Sequence, residues 1–241
     1  MTTLLKVEGL QTYIGQYHIL QGVDLDVKAG GVTVILGRNG AGKTTTLRTI
    51  MGLTPPKSGK VVFQGEEIQG LAPHLTAVKG IGYVPEDQGI FADLTVEENM
   101  KLAIRHKDDA TMERQEVVLK LFPDLEIAWK RKGGNLSGGQ KQMLSIARAF
   151  VNDNKLLLID EPSKGLAPIV VEKVMEALLE LKKRTTIVLV EQNFIMASGV
   201  GDDVFLLDDG RTVYQGTMQE LKVDEEIKQK YLGIGLRSER R

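Results

Sequence analysis

The chain has 241 residues, of which 42% are hydrophobic and 26% are charged, and this composition and length suit one large soluble domain at 1–241. Its formal net charge of −1 gives no electrostatic reason to expect nucleic acid as a partner. Because the sequence contains no cysteine, disulfides and thiolate metal sites are excluded.

Two patterns of apolar residues predict two kinds of β-sheet. Short runs that are typical of an antiparallel sheet lie at 4–7, 20–27 and 60–64. Continuous apolar runs that alternate with helical segments predict a parallel core sheet. These runs lie at 32–36, 81–84, 155–160 and 186–191.

A glycine-rich segment directly follows the run at 32–36 and has the spacing of a phosphate-binding loop. The loop consists of Gly37, Arg38, Asn39, Gly40, Ala41, Gly42, Lys43 and Thr44. In such a loop backbone N–H groups surround an anion, Lys43 reaches the β- and γ-phosphates, and the Thr44 hydroxyl faces Mg²⁺. Thr45 continues the helix that Thr44 opens, so the phosphates would meet the positive end of a helix. The alternative is an ordinary glycine turn between a strand and a helix.

A mainly helical segment at about 87–152 interrupts the strand pattern. Within it, Thr95 and Glu98 have the spacing of a capping box, which predicts a helix that reaches about His106. Part of the apolar surface of this segment, with residues 86–94, is a candidate docking site for a helix of another protein. Packing of the subdomain core is the alternative.

Ser137, Gly138, Gly139 and Gln140 begin the last predicted helix of this segment. Ser137 can cap the helix, which leaves a hydroxyl and exposed N–H groups facing any anion brought to that end. Such a helix end is an incomplete anion site. The alternative is an ordinary serine cap.

Two adjacent carboxylates, Asp160 and Glu161, end the apolar run at 155–160. They fall at the carboxyl end of a predicted parallel strand, where open α/β sheets bind their ligands. Two acids at that place can divide the work of holding Mg²⁺ and polarising an attacking water. The alternative is a solvated acidic turn before Pro162.

The glycine-rich loop at 37–44, the helix start at 137–140 and the acid pair at 160–161, in this order and spacing, resemble the ATP-binding cassette of ABC transporters. The resemblance implies an α/β fold of the P-loop nucleoside triphosphatase type, with a parallel core sheet, an N-terminal antiparallel β subdomain and a helical subdomain. It implies ATP and Mg²⁺ as cofactors, with Asp160 on the metal and with Glu161 and Lys43 in catalysis. It also implies that residues 137–140 close over the γ-phosphate bound by a second cassette. Tyr13 matches the aromatic residue that stacks on adenine, and a half-buried strand tyrosine is the alternative.

Two positions near the site depart from the family pattern. Glu86 replaces the usual glutamine and adds a carboxylate beside the expected metal ligands Thr44 and Asp160, so we count it among the metal-site residues. Gln192 replaces the usual histidine, and it can donate a hydrogen bond to the γ-phosphate but cannot take up a proton. Three neighbouring carboxylates would repel one another unless Mg²⁺ or a raised pKa relieves them. We therefore expect activation of water to depend on Glu161.

Shorter segments at 84–86, 163–168, 190–193 and 231–233 look like those of the ATPase subunits of branched-chain amino-acid uptake systems. This resemblance implies the ATPase of an ABC importer, cytoplasmic and peripheral on the inner face of the cell membrane. Its partners would be a second cassette, identical or different, transmembrane permease subunits and, indirectly, a periplasmic or extracellular solute-binding protein. No nucleic acid is implied.

Three other functions stay open. They are the ATPase of a urea or short-chain amide importer, a soluble ABC ATPase without a transport role, and a nucleotide-binding regulatory subunit. The presence of Lys43, Asp160 and Glu161 argues against the regulatory subunit. No apolar run approaches the roughly 18 to 20 residues of a membrane helix, so we expect another polypeptide to supply any membrane path.

Overall fold

The structure, a computed structural model, describes residues 2–234, so Met1 and 235–241 of the predicted domain lie outside the described residues. The strands are β1 (Thr3–Ile14), β2 (Tyr17–Lys28), β3 (Val32–Leu36), β4 (Ser58–Phe63), β5 (Glu66–Glu67), β6 (Ile81–Val84), β7 (Leu156–Asp160), β8 (Thr186–Glu191), β9 (Asp203–Asp208) and β10 (Arg211–Thr217). The helices are α1 (Lys43–Ile50), α2 (Pro73–Val78), α3 (Val96–Ala103), α4 (Asp109–Leu121), α5 (Pro123–Ile127), α6 (Gly138–Phe150), α7 (Pro168–Leu181), α8 (Phe194–Val200), α9 (Met218–Val223) and α10 (Glu225–Ile227). A 3-10 turn at Gly133–Asn135 and a π-helical turn at Lys228–Leu232 complete the described elements.

The predicted antiparallel sheet is present, in the order β2-β1-β4-β5. Strand β1 pairs with both β2 and β4, as the three apolar runs predict. Strand β1 extends to Ile14, well beyond the predicted range 4–7. Its register shifts between Val7 and Leu10, and the apolar pattern changes at the same place. Gly9 lies in this irregularity with φ of 54° and moves the apolar alternation out of phase by one residue. A strict period of two therefore stops at Val7, although the strand continues.

The core sheet has the order β10-β9-β3-β8-β7-β6, in which β9, β3, β8, β7 and β6 are parallel and β10 runs antiparallel at the edge. The β9–β10 turn contains Asp209 and Gly210, both with positive φ, as a tight two-residue hairpin requires. Strand β8 lies between β3 and β7. The ends of these three neighbouring strands therefore bring Gly37, Gln192 and Glu161 to one edge of the sheet.

Apolar packing covers both faces of the core sheet. Strand β3 illustrates this, because Val34 belongs to the cluster that contains Val174 of α7, whereas Ile35 belongs to the cluster that contains Leu47 of α1. Every residue of β3, β7 and β8 is buried. This explains why these strands appear as continuous apolar runs rather than as alternating ones.

The region between β6 and β7 is helical, comprising α3 to α6. The capping box predicted at Thr95 and Glu98 is formed, with hydrogen bonds in both directions. Helix α3 ends at Ala103 and not near His106, because Ile104 is extended with ψ of 116°. Among the helices within residues 2–234, none combines the length and the apolar character needed to cross a membrane.

Candidate functional site

The glycine-rich loop and the carboxyl ends of the core strands enclose a cavity of about 330 Å³. Its lining residues are Ile19, Asn39, Gly40, Gly42, Lys43, Thr44, Thr45, Glu86, Glu161 and Lys164. Residues that are far apart in sequence therefore share one concave surface. The glycine-rich loop and the segment after β7 both supply lining residues.

Close contacts explain two glycines of the loop, Gly37 and Gly42. A Cβ atom on Gly37 would lie 2.3 Å from the backbone oxygen of Leu207, and one on Gly42 would lie 2.7 Å from Leu20 Cδ2. Gly42 has φ of 98° and precedes α1 without any side chain to cap that helix. The N-terminal end of α1, which has a partial positive charge, therefore opens directly onto the cavity. This arrangement fits a bound anion such as the phosphates of a nucleotide.

Lys43 holds its ammonium group at the base of this loop. Its Nζ atom donates hydrogen bonds to the backbone oxygens of Gly37 at 3.0 Å and Arg38 at 3.2 Å. Nζ also lies 3.4 Å from Glu161 Oε1, and the two side chains are only 4% and 8% exposed. A buried ammonium and a buried carboxylate thus compensate one another at the place where phosphate charge is expected.

Thr44 and Asp160 form a pair of oxygen ligands on the cavity side of β7. The Thr44 hydroxyl donates to Asp160 Oδ1 at 3.1 Å, and the Tyr83 hydroxyl lies 3.5 Å from Asp160 Oδ2. Burial raises the pKa of Asp160 to about 6, and the charges of Glu161 and Glu86 act in the same direction. Hydroxyl and carboxylate oxygens are the ligands that Mg²⁺ prefers, so this pair fits that ion. Burial is the main cause of this pKa shift, and the neighbouring carboxylates add to it.

Glu161 is held in an unusual backbone conformation directly after β7. Its φ is 44°, a region that residues other than glycine rarely occupy, and its N–H donates to the Val190 oxygen at 2.9 Å. The Gln192 amide Nε2 donates to Glu161 Oε1 at 2.6 Å. This strained conformation turns the Glu161 side chain into the cavity rather than along the strand.

The structure pairs Glu86 with a residue that the sequence analysis did not assign to the site, Lys164. The two side chains form an ion pair, and Lys164 Nζ also lies 3.9 Å from Glu161 Oε2. Within residues 2–234, no three histidine or acidic side chains converge closely enough to hold a metal ion. Glu86 lines the cavity as the partner of Lys164, and its place beside the expected metal ligands Thr44 and Asp160 stays a prediction. The chain offers no local signal for Lys164, because its partner is 78 residues away.

Tyr13 lies outside the residues that line the cavity, to which the β1–β2 hairpin contributes Ile19. The Tyr13 ring stacks on His18 with centroids 4.2 Å apart and an angle of 5° between the planes. Lys57 Nζ lies 4.8 Å from the centre of the Tyr13 ring. The adenine-stacking role of Tyr13 stays a prediction, and any platform there is a Tyr13–His18 pair rather than a lone ring.

The segment Ser137, Gly138, Gly139 and Gln140 begins α6, as the sequence predicts, and does not line the cavity of its own chain. The Ser137 hydroxyl accepts from the Gln140 N–H at 3.2 Å, and Gln140 Oε1 accepts from the Ser137 N–H at 3.0 Å. Ser137 and Gly138 are exposed. This helix end is therefore rigidly capped and accessible to another molecule.

Known proteins that resemble this chain identify its family. The sequence profile of the ABC transporter family matches residues 20–164. The chain is 39% identical over 234 residues to a "probable branched-chain amino acid transport ATP-binding protein" of Archaeoglobus fulgidus, covering 96% of this chain and 99% of that protein. It is 38% identical over 233 residues to a "high-affinity branched-chain amino acid transport ATP-binding protein" of Pseudomonas aeruginosa, covering 95% and 100%. A lipopolysaccharide export system ATP-binding protein of Haemophilus influenzae is 34% identical over 235 residues, covering 96% and 98%.

A solved structure shows the same fold. A dimeric ATP-binding cassette in a post-hydrolysis state, bound to ADP and Pi, has a TM-score of 0.78 and 27% identity, covering 89% of this chain and 99% of that one. The phosphate-binding loop, the mixed arrangement of sheets and the helical segment correspond to that architecture. The chain therefore belongs to the ABC transporter family, as a nucleotide-binding ATPase cassette with the P-loop nucleoside triphosphatase fold.

Proposed function

We propose that this chain binds Mg·ATP in the cavity between its glycine-rich loop and β7, and that the residues converging there hydrolyse it. One observation carries the proposal: Lys43, the Thr44–Asp160 pair and Glu161 line or border a single cavity at the helix end of α1. These are the charges and donors that phosphoryl transfer requires.

Each side chain has a distinct proposed role. Lys43 gives up a hydrogen bond to a loop carbonyl and contacts the β- and γ-phosphates, while Gly40, Gly42 and Thr45 present backbone N–H groups. Thr44 and Asp160 hold Mg²⁺, which when bound neutralises charge on the phosphate oxygens. The remaining loop residues Gly37, Arg38, Asn39 and Ala41 shape the cradle. Loss of Lys43 is expected to cost several kcal/mol of barrier.

Glu161 is the proposed base that orients and polarises the attacking water. Its Oε1 atom accepts from Gln192, which fixes the carboxylate, and Oε2 faces the Lys164 ammonium at 3.9 Å. Because Gln192 has no titratable proton, it positions Glu161 or contacts phosphate but does not relay protons. Water activation therefore depends on a single carboxylate.

A second cassette completes the proposed site. The capped N-terminus of α6, with Ser137 to Gln140, is exposed and lies away from its own cavity. It presents the helix-end N–H groups and hydroxyl that would complete an anion site on another molecule. The dimeric form of the cassette bound to ADP and Pi supports such an assembly. An identical or a related chain would serve as the partner.

The proposed transport role is the import of branched-chain amino acids. We propose that the chain drives transmembrane permease subunits from the cytoplasmic face of the membrane and, through them, serves a solute-binding protein outside it. The relatives at 39% and 38% identity support this solute class. Export is the second candidate, because a lipopolysaccharide export ATPase is 34% identical over nearly the same length.

The test combines turnover with transport. The purified chain should release phosphate from ATP only with Mg²⁺, and Lys43→Ala should abolish this release. Reconstituted with the membrane proteins encoded beside it, the parent chain should drive ATP-dependent accumulation of labelled leucine in vesicles. Turnover that persists in Lys43→Ala would overturn the proposed site. Movement of lipid, urea or a short amide in place of leucine would overturn the proposed solute.

A further inference from the structure

One buried acid in the described structure is not used by the chemistry proposed above. Glu191 ends β8, directly before Gln192, and is 2% exposed. Burial raises its pKa, and four hydrogen bonds to its carboxylate act in the opposite direction. A carboxyl group in such a place is costly to bury unless its hydrogen bonds are well formed, so its partners indicate what it holds.

The four hydrogen bonds join two loops. From the loop after β7, the Ser163 N–H donates to Glu191 Oε1 at 3.0 Å and the Ser163 hydroxyl donates to Oε2 at 2.9 Å. From the loop after β8, the N–H groups of Gln192 and Asn193 both donate to Oε2 at 3.1 Å. One carboxylate thus ties together the two segments that carry Glu161 and Gln192.

We propose that Glu191 is a positioning residue for hydrolysis, which holds the Gln192 loop against the Glu161 loop so that the Gln192 amide meets the Glu161 carboxylate. The proposal deepens the proposed function and rests on it. Glu191 does not line the cavity and therefore acts through its neighbours. Both loops leave adjacent parallel strands, and the backbone pairing of β7 with β8 ends at Asp160 and Val190. Beyond that point the Glu161 N–H to Val190 bond and the carboxylate of Glu191 connect the loops.

The variant Glu191→Gln isolates this role because it keeps the shape of the side chain. A glutamine amide can accept at only one end, so its NH₂ group would face the Ser163 N–H, or the Gln192 and Asn193 N–H groups, and at least one bond would be lost. We expect kcat for ATP to fall about 10-fold, since bonds to a charged group are strong, while KM changes less than about 2-fold. The matched control is Glu180→Gln on the exposed face of α7, which should keep the parent kcat.

A double-mutant cycle separates positioning from general support of the fold. If Glu191 acts through Gln192, the double variant of Glu191→Gln and Gln192→Ala should have a kcat less than about 2-fold below that of the single variant Gln192→Ala. Effects that multiply fully in the double variant, or a parent-like kcat in Glu191→Gln, would overturn the proposal. Should Glu191→Gln fail to fold, Ser163→Ala can replace it, because it removes one of the four bonds. We expect Ser163→Ala to lower kcat about 3-fold in the parent, and to have less effect on kcat in Gln192→Ala.

A readout without ATP keeps this proposal distinct from the proposed function. In nucleotide-free protein, Glu191→Gln should accelerate amide hydrogen exchange at Ser163, or at Gln192 and Asn193, according to which acceptor oxygen is replaced, while exchange in the centres of β7 and β8 stays unchanged. Unchanged exchange at the three amides would overturn the positioning role. If the parent chain shows no ATP turnover that depends on Lys43, the proposed function fails. The two failures can be told apart, because this one is seen in the parent chain itself and not only in the Glu191 variants.

Discussion

The Gln192 amide nitrogen donates a 2.6 Å hydrogen bond to Glu161 Oε1 across 31 residues of sequence. Glu161 also lies 3.4 Å from the Lys43 ammonium through the same oxygen atom. One carboxylate oxygen is therefore held from two sides, by an amide and by a cation. The other oxygen, Oε2, lies 3.9 Å from the Lys164 ammonium.

Removing the Gln192 amide should impair hydrolysis more than binding. We expect Gln192→Ala to lower kcat for ATP about 10- to 100-fold and to leave KM within about 3-fold, because Glu161 would lose a group that orients it. Steady-state phosphate release measures both constants. Gln215→Ala, an exposed glutamine on β10, is the control. A large increase in KM at unchanged kcat would instead show that Gln192 serves nucleotide binding.

The raised pKa of Asp160 predicts how stability depends on pH. Burial raises this pKa to about 6, whereas the ordinary pKa of an aspartate in the unfolded state is 3.8. Between these two pH values the folded state holds a proton that the unfolded state has lost. The stabilisation from this proton is complete below the unfolded pKa and is lost as the pH rises through about 6. Asp160→Asn carries no such charge, and we expect it to exceed the parent in unfolding free energy by on the order of 2 kcal/mol at about pH 7.5.

Chemical denaturation of the nucleotide-free protein at about pH 7.5 and about pH 4.5 measures this difference. The advantage of Asp160→Asn should shrink at the lower pH. Asp93→Asn, an exposed position, should show no such dependence. Addition of Mg·ATP should stabilise the parent and not Asp160→Asn, since the ion favours the ionised carboxylate. An advantage that is independent of pH would contradict the assignment of the shift to Asp160.

The ion pair of Lys164 with Glu86 predicts a variant with weaker nucleotide binding and its rescue. Lys164→Met leaves Glu86 uncompensated beside Glu161 and Asp160, and this added negative charge repels ATP. We expect KM for ATP to rise about 3- to 10-fold at low salt and less at high salt. Adding Glu86→Gln to Lys164→Met should restore much of the loss. Lys183→Met, which removes an exposed lysine paired with Glu180, is the control. A failure of Glu86→Gln to restore KM would show that Lys164 acts independently of Glu86.

The close backbone contact at Gly37 predicts that Gly37→Ala lowers stability by more than strain of the loop backbone alone would. A Cβ there would lie 2.3 Å from the Leu207 backbone oxygen, and a paired strand cannot move away easily. We expect Gly37→Ala to lower the unfolding free energy by on the order of 3 kcal/mol and to abolish nucleotide binding. Gly15→Ala, in the β1–β2 turn at φ of 59° with open space around it, should cost about 1 kcal/mol. Equal costs at the two positions would contradict the contact argument.

Much of the site could be predicted from contiguous segments, because their geometry is local. A strand that ends in a glycine-rich loop and a helix needs only nearby residues, and so does the Ser137 cap that reaches Gln140. The acid pair at the end of β7 follows from a buried run of five residues that includes Asp160. The length of β1 could not be predicted in the same way, because the irregularity at Gly9 shifts the alternation on which the prediction depends.

The sequence by itself thus determined the family, the glycine-rich loop, the Asp160–Glu161 pair and the two types of sheet. Only the tertiary structure decided which side chains these elements meet. The placement of β8 between β3 and β7 brings Gln192 to Glu161 and Glu191 to Ser163, and Lys164 reaches Glu86 from another strand end. Such contacts depend on strand order and on the direction of the loops, and neither can be read from the residues near the contact.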